Sequence, residues 1–272
     1  MLLLLCASHT GLLAPPGCVS SYAVPGTRYR TPWIVTLSRN NNSQSALTGC
    51  VVQDIVVGAR SKKECHRFVE SEGTPVGHLH RAFSVFLFDS QNRLLLQQRA
   101  ACKVTFPDVW TNTCCSHQLY GQTPEEADEL DNVVQGRTPG AVAAALRKLE
   151  HELGIPQTEL QEFTFITRLL YCAGDADAVS GEPTGWGEHE MDYILFARAN
   201  VSLNPNPEEI QDVKYVTPSE LKAMMHPDSG LRWSPWFRII AQNFLYKWWD
   251  DIDGVLTSGV HADWHGIHKL SV

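Results

Sequence analysis

No apolar run in the sequence approaches the roughly 20 residues that a membrane-spanning helix needs; the leucines at positions 2–5 are followed within a few residues by Ala14-Pro15-Pro16-Gly17. No membrane association is expected. A basic excess is also missing. The 22 Lys and Arg stand against 30 Asp and Glu, a net charge of −8, whereas a nucleic-acid binder needs a basic face to meet phosphates. The eight cysteines (Cys6, Cys18, Cys50, Cys65, Cys102, Cys114, Cys115 and Cys172) show no framework spacing. A chain of 272 residues buries a core without covalent staples, so reduced thiols are expected. Acidic residues are missing ahead of Asp54, while Arg28, Arg30 and Arg39 lie among many Ser, Thr and Asn. Such a leader resembles an organelle transit peptide, with a disordered leader as the alternative. A secretory signal is disfavoured because no charge precedes the leucines. We expect residues 1–49 to be an N-terminal extension and 50–272 to form one domain, with its core at about 78–230. The expected location is the cytoplasm, or a plastid or other organelle. Nothing in the sequence suggests an obligate interface, so a monomer is expected.

What is present is a set of alternating strand and helix signals. Val51–Val57 reads as one short strand, and the stretch before Lys62 otherwise looks irregular. His80–Phe88 is apolar, β-branched and aromatic at strand length. The turn chemistry of Asp89-Ser90-Gln91-Asn92 joins it to a second strand at 93–99, giving a hairpin whose core strand is buried on both faces. The clearest helix begins with Thr138 as N-cap and Pro139 at the first helical position. Val142, Ala145, Leu146, Leu149 and Leu153 recur at helical spacing, and Gly154 and Pro156 stop it. Strands are expected at Phe163–Tyr171, Met191–Ala199 and Gln211–Val216, with an extended loop at 172–184. A capping box at Thr217–Glu220 opens a short helix. Ser234-Pro235 opens another over 234–250, with Trp236, Ile239, Ile240, Phe244 and Trp248 on its apolar face. No regular βαβ repeat appears, so the fold class is α+β: a mixed sheet flanked by helices.

Chemistry concentrates in a few places. In Trp110-Thr111-Asn112-Thr113-Cys114-Cys115-Ser116-His117, the period of two on an extended backbone sends Cys115 and His117 to one side. One of them suits a nucleophile or proton carrier, the other a metal ligand or base. The same period pairs Glu188 with Glu190. With His66, His80 and His117, these carboxylates make a donor set suited to one octahedral divalent ion, Mn, Mg or Zn. The helix stretch Arg147-Lys148-Leu149-Glu150-His151-Glu152-Leu153-Gly154-Ile155 resembles the core of the Nudix box, R-E-apolar-x-E-E-x-G-apolar. Arg147, Glu152 and Gly154 fit, whereas Lys148 and His151 stand where the box has acids, and Val133 and Pro139 depart from its upstream half.

Seven blocks in order carry a wider resemblance: Lys62-x-x-Cys65-His66, Leu79–Phe86, Leu96-Gln97-Gln98-Arg99, Lys103–Pro107, Thr111–His117, Trp186–Glu190 and Ser234–Phe237. From about Lys62 to Trp249 the sequence resembles the type I isopentenyl-diphosphate Δ-isomerases, which have the Nudix-type α/β/α sandwich. The resemblance implies interconversion of isopentenyl and dimethylallyl diphosphate. It makes Cys115 and Glu190 the catalytic pair. It gives one divalent metal to His66, His80, His117, Glu188 and Glu190, and a diphosphate-linked Mg2+ to Glu152. Lys62, Arg99, Lys103 and Ser116 would contact the diphosphate, and Tyr171 and Trp236 would line the hydrocarbon pocket. The sequence departs from the family pattern in a longer His66–His80 spacing and in Gln118 after His117, where Pro is usual.

Those roles also suit the chemistry. Shifting a double bond requires a proton added at one end of an unactivated alkene and another removed two carbons away, in a pocket that excludes water. A carboxyl near Tyr171 suits delivery and a thiolate suits removal, although a thiol near pKa 8.5 needs help to ionise. The face of Trp236 suits a carbocation, the fork of Arg99 suits diphosphate oxygens, and Cys114 points the other way. The competing expectations are a Nudix hydrolase of a diphosphate substrate and an inactive diphosphate-binding homologue.

Overall fold

The structure, a computed structural model, describes residues 47–71 and 74–271; the leader through position 46 lies outside the described residues. The chain folds around a mixed sheet of ten strands with helices on both faces, the Nudix-type α+β architecture.

The first strands are β1 (Leu47–Val52) and β2 (Ile55–Ser61), joined by a two-residue turn. Where one strand across Val51–Val57 was expected, the chain reverses. Gln53 and Asp54 both take left-handed φ values, 50° and 66°, as the favoured hairpin turns require. Asp54 is fully buried and accepts from Arg81 Nε (2.8 Å), Arg168 Nη1 (2.8 Å) and Tyr193 OH (2.7 Å). A buried carboxylate held by two guanidinium groups fixes the turn, because any other placement would strand its charge.

A short helix α1 (Lys62–His66) follows, closed by a capping box between Ser61 and Glu64. Strands β3 (Val69–Ser71) and β4 (Thr74–Val76) pair only with each other. Strand β5 (His80–Phe88) is buried at every position and runs parallel to β10 (Pro183–Arg198) along its whole length. The expected hairpin of β5 with β6 (Leu94–Arg99) closes only at Phe88 and Leu94. Beyond that the two strands part, and β5 pairs with β8 (Cys114–His117) while β6 pairs with β7 (Trp110–Thr111) and β11 (Ile210–Val216). Polar side chains of the intervening segment hold the split open. Thr113 Oγ1 donates to the carbonyl of Leu95 (2.6 Å) and accepts from the amide of Leu87 (2.9 Å), and Asn112 Nδ2 donates to the carbonyl of Val85 (3.1 Å). Buried backbone groups that lose their ladder partners regain them from side chains.

Helix α2 (Leu130–Val133) precedes the long helix α3 (Pro139–Leu153). Thr138 is its N-cap by position but makes no capping bond. The cap comes from Asp128, whose carboxylate accepts from the amides of Gly140 (2.7 Å) and Ala141 (2.9 Å). Its buried face centres on Ala141, Ala144, Ala145 and Leu149, so small residues bring the helix close to the sheet. Strand β9 (Thr164–Ala176) pairs antiparallel with β10. Both are longer than expected, and the loop expected at 172–184 shrinks to the tip of a hairpin. Polar and glycine positions at 183–190 hid the strand because residues 183–185 are exposed and Glu188 and Glu190 face the site, so few of them pack into a core. Helix α4 (Pro218–Met224) carries the expected capping box. The helix expected at 234–250 is α5 (Pro235–Ile240), a π-helical turn at Ala241–Leu245 and α6 (Tyr246–Asp250). That wider turn shifts the face so that Leu245, Trp248 and Trp249 are all buried. Helix α7 (Ile252–Ser258) and strand β12 (Ile267–Lys269), parallel to β9, end the fold.

The two faces of β5 feed two cores. Phe83, Val85 and Leu87 pack with α3, while Phe86 and Phe88 pack with α5 to α7.

Candidate active site

Register across the sheet assembles the site. Glu190 on β10 lies opposite His80 on β5 and Tyr171 on β9, and His117 on β8 lies opposite Ala82 on β5. Side chains two apart share a face. The spacing arguments for Cys115 with His117 and for Glu188 with Glu190 therefore carry over to real strands. His66 comes from outside the sheet, on the last turn of α1.

The five expected metal donors converge. His66, His80, His117, Glu188 and Glu190 are all buried, with ligand atoms within 4.8 Å of one another. His66 Nε2 lies 2.8 Å from Glu188 Oε2, and His117 Nε2 lies 2.8 Å from Glu190 Oε1. His80 Nε2 is 3.9 Å from Glu188 and 3.8 Å from Glu190. Two rings have fixed tautomers. His66 Nδ1 donates to the carbonyl of Lys62 (2.6 Å), and His80 Nδ1 donates to the carbonyl of His78 (2.7 Å). A carbonyl only accepts, so both Nδ1 atoms carry protons and both rings turn Nε2 toward the carboxylates; for His80, which burial holds neutral, that atom is a lone pair. Backbone carbonyls orient metal-binding histidines in this manner. His66 Nε2, His80 Nε2 and Glu188 Oε2 have no hydrogen-bond partner of proper geometry despite their burial. Lone pairs facing lone pairs in a dry site are costly, and a divalent cation among them removes that cost. The donor set fits such an ion.

Electrostatics divide the two carboxyls. For Glu188, burial pushes upward, but the His66 and His117 imidazoles set against its oxygens outweigh it and hold the carboxyl well below its usual range. Thr105 Oγ1 adds a bond to Glu188 Oε1 (3.1 Å). Glu190 is pushed well above the usual range by burial and then by the charge of Glu188. The phenol of Tyr171 donates to Glu190 Oε2. Burial lowers His80 strongly and His117 as well, which keeps both rings neutral.

A narrow cavity of about 20 Å³ opens beside this cluster. It is bordered by Lys62, Arg99, Lys103, Thr105, Cys115, Ser116, His117, Glu152, Tyr171, Glu188, Glu190 and Trp236. Every residue expected to touch substrate therefore borders one space, and His66 and His80 stand behind it. Cys115, Ser116 and His117, three successive residues of β8, all border it. Cys115 borders it together with Glu190. Burial pushes the Cys115 thiol up to about 12, against the opposing charge of Arg99, so the thiol is the resting form and not the thiolate. Cys114 faces the other way, fully buried, with Sγ 3.5 Å from Glu152 Oε2. A wider groove of about 860 Å³, lined by Trp233, Arg238 and Tyr246 among others, adjoins the site at Phe106 and Pro235 and shares none of its lining residues.

The structure adjusts Arg99. Its Nε and Nη2 donate to the carbonyls of Phe106 (2.9 Å) and Thr105 (2.8 Å), and its guanidinium lies 5.6 Å from the ring of Trp236. The fork braces the 103–107 loop, so only part of it is available to an anion. Trp236 is fixed through Nε1 to Asn112 Oδ1 (3.1 Å), with Phe106 edge-on and Tyr171 on another side. Spacing did not single out Asn112, Thr105, Asp192 or Glu209. Asn112 lay inside a quoted block without an assigned role. Asp192 extends the Glu188 and Glu190 row and accepts from Ser84 Oγ (2.8 Å). Glu209 had no local signal at all.

Residues 134–237 match the NUDIX domain family. The chain is 48% identical over 224 residues to isopentenyl-diphosphate Δ-isomerase 1, chloroplastic, of Cannabis sativa, covering 80% of this chain and 72% of that one. It is 46% identical to isopentenyl-diphosphate Δ-isomerase I of Camptotheca acuminata, covering 80% and 87% of the two chains. It is 47% identical to the isopentenyl-diphosphate Δ-isomerase of Schizosaccharomyces pombe, covering 75% and 84%. With this identity across most of each partner, the chain belongs to the isopentenyl-diphosphate Δ-isomerase family of NUDIX-domain proteins.

Proposed function

We infer that the protein interconverts isopentenyl and dimethylallyl diphosphate by adding and removing protons on the alkene. The observation that carries this reading is the presence of Cys115 and Glu190 on one narrow cavity with cationic groups at its border. Hydrolysis of a diphosphate would need neither a thiol nor a carboxyl pushed toward its protonated form.

The diphosphate lies against Lys62, Lys103, Ser116 and the remaining donors of Arg99, with an accompanying Mg2+ on Glu152. Charge pairing fixes this end of the substrate and leaves the short hydrocarbon between Cys115, Tyr171, Glu190 and Trp236. Glu190, protonated and bonded to Tyr171, gives its proton to the terminal methylene carbon. The tertiary cation that results is met by the ring of Trp236, worth about 2 kcal/mol when desolvated. The Cys115 thiolate, formed by loss of the thiol proton to solvent and favoured by the charge of Arg99, takes a proton from the carbon two positions away, and exchange with solvent then reprotonates Glu190 and deprotonates Cys115. His66, His80, His117, Glu188 and Glu190 would hold a divalent ion, whose positive charge would ease the negative charge left on Glu190. Because the reaction runs both ways, each member of the pair is acid in one direction and base in the other.

For the leader, the acid-free sequence and the chloroplastic designation of the Cannabis sativa relative support delivery to an organelle; N-terminal sequencing of the mature protein from cells tests it, and an intact Met1 counts against it. No helix of the described residues is long and apolar enough to cross a membrane. The decisive assay incubates the full chain with isopentenyl diphosphate and Mg2+ and follows dimethylallyl diphosphate. Phosphate release without the allylic product would overturn the isomerase reading.

A further inference from the structure

Lys148 stands where the Nudix pattern has an acid, one helical turn before Glu152. Its ammonium lies 2.9 Å from Glu152 Oε1, and the side chain is only 11% exposed. This i,i+4 pair does not lie on the solvent face of α3, so water and salt screen it little. The other oxygen of Glu152 is also engaged, accepting from Gln97 Nε2 (3.3 Å) and Cys114 Sγ (3.5 Å). On its far side Lys148 faces Glu209 Oε1 at 3.6 Å, and Glu209 Oε2 is held by Lys103. Four charges alternate in sign from Glu152 through Lys148 and Glu209 to Lys103. Glu209 is pinned from two directions: its amide donates to the carbonyl of Asn206 (2.9 Å) and its carbonyl accepts from the amide of Ala100 (3.0 Å). The loop in turn is tied to the end of α3 by Asn206 N to Glu152 O and Asn204 N to Leu153 O, both 2.8 Å.

We propose that Lys148 gates the magnesium position at Glu152: its ammonium is the resident cation between Glu152 and Glu209, so a divalent ion settles on Glu152 only in company with a diphosphate. A divalent ion on Oε1 alone would stand within about 5 Å of the ammonium, the sum of a Mg–O bond of ~2.1 Å and the 2.9 Å ion pair. Like charges that close in a half-buried site repel strongly. A diphosphate arriving with the ion brings the negative charge that removes this repulsion. An acid at position 148 would instead have added a ligand and a permanently open metal site, as a hydrolase requires. Lys148 is thus a positioning residue that sets the order of binding. The inference rests on the reading of Glu152 as the ligand of the substrate's Mg2+.

The test counts Mn2+ bound per full-length chain by equilibrium dialysis and electron paramagnetic resonance, with and without inorganic pyrophosphate. Wild type should bind one ion alone and a second with pyrophosphate. Lys148→Gln should bind the second without pyrophosphate, Lys148→Arg should behave as wild type, and adding Glu152→Gln to Lys148→Gln should remove the second ion again. The ion at the His/Glu cluster certifies the fold of each variant, and Lys148→Met replaces Lys148→Gln where that ion is lost. If Glu152→Gln alone still takes a pyrophosphate-dependent second ion, the reading of Glu152 fails. If it loses that ion while Lys148→Gln and Lys148→Met stay at one without pyrophosphate, the gate alone is overturned. Two ions on wild type without pyrophosphate overturn it as well.

Discussion

The two ends of the cavity are charged groups held by opposite rules. At the His/Glu end, His66, His80 and Glu188 turn buried atoms toward one another with no partner of proper geometry. At the other end, where we propose the diphosphate binds, Lys103, Lys148, Glu152 and Glu209 neutralise each other in a chain of ion pairs. The first arrangement leaves donor atoms unmatched and fits a cation; the second is matched within itself, so a ligand there would have to rearrange it. A preformed site with unmet demand binds without reorganisation, whereas a site whose charges are already matched binds only what outcompetes the match. Between them lie Cys115 and Glu190, the proposed reacting pair, so chemistry and binding should separate under mutation.

The largest expected effect isolates the chemistry from both ends. Cys115→Ala should cut turnover by at least about 10²-fold and as much as about 10⁴-fold, the usual span for a proton-transfer group, while pyrophosphate affinity by calorimetry changes little. Near-normal turnover would remove Cys115 from the mechanism. Next, stripping divalent metal should abolish activity and destabilise the incomplete end only. An ion at 100 times its Kd contributes about 2.7 kcal/mol, roughly 5–10 °C in melting temperature for a domain of this size. Scanning fluorimetry with and without Mn2+ should register that difference in wild type and lose it in His80→Ala; equal melting of stripped and loaded wild type would contradict the donor-site reading. At the matched end, Lys103→Ala should raise KM by about tenfold, or ~1.4 kcal/mol, with kcat nearly unchanged, because the lost contact is the same in ground and transition states. A fall in kcat with constant KM would place Lys103 in the chemistry. The smallest effect is Cys114→Ala: activity within about twofold of wild type and a stability loss of about 1 kcal/mol by denaturant titration. A loss comparable to that of Cys115→Ala would mean that the reacting thiol had been misassigned.

Local rules carried the reading of the sequence a long way. The strand at His80–Phe88, the capping box at Thr217, the Ser234-Pro235 helix start and the two-residue spacing of Cys115 with His117 and of Glu188 with Glu190 all depend on near neighbours, and the structure has them. The failures share a cause. Thr138 was the expected cap of α3, but Asp128 provides it through a loop. Val51–Val57 was expected to be one strand, but Asp54 found Arg81, Arg168 and Tyr193, residues 27 or more positions away. The β5–β6 hairpin was expected to zip, but Asn112 and Thr113 took its backbone partners. In each case a long-range contact outweighed a local preference.

The sequence by itself determined which residue types are present and which neighbours share a face, because backbone geometry within a strand or helix is periodic. It therefore specified the thiol, the three imidazoles, the two carboxylates and the cations. Only the tertiary structure decided that His66 from a helix meets Glu188 from a strand 122 positions later, with carbonyls holding two ring protons away from the cluster. The pairing of Lys148 with Glu209 across a loop, and the part-engagement of Arg99, were likewise outside its reach. Those arrangements depend on which distant groups come together when the two cores close on the sheet, and no spacing along the chain encodes that distance.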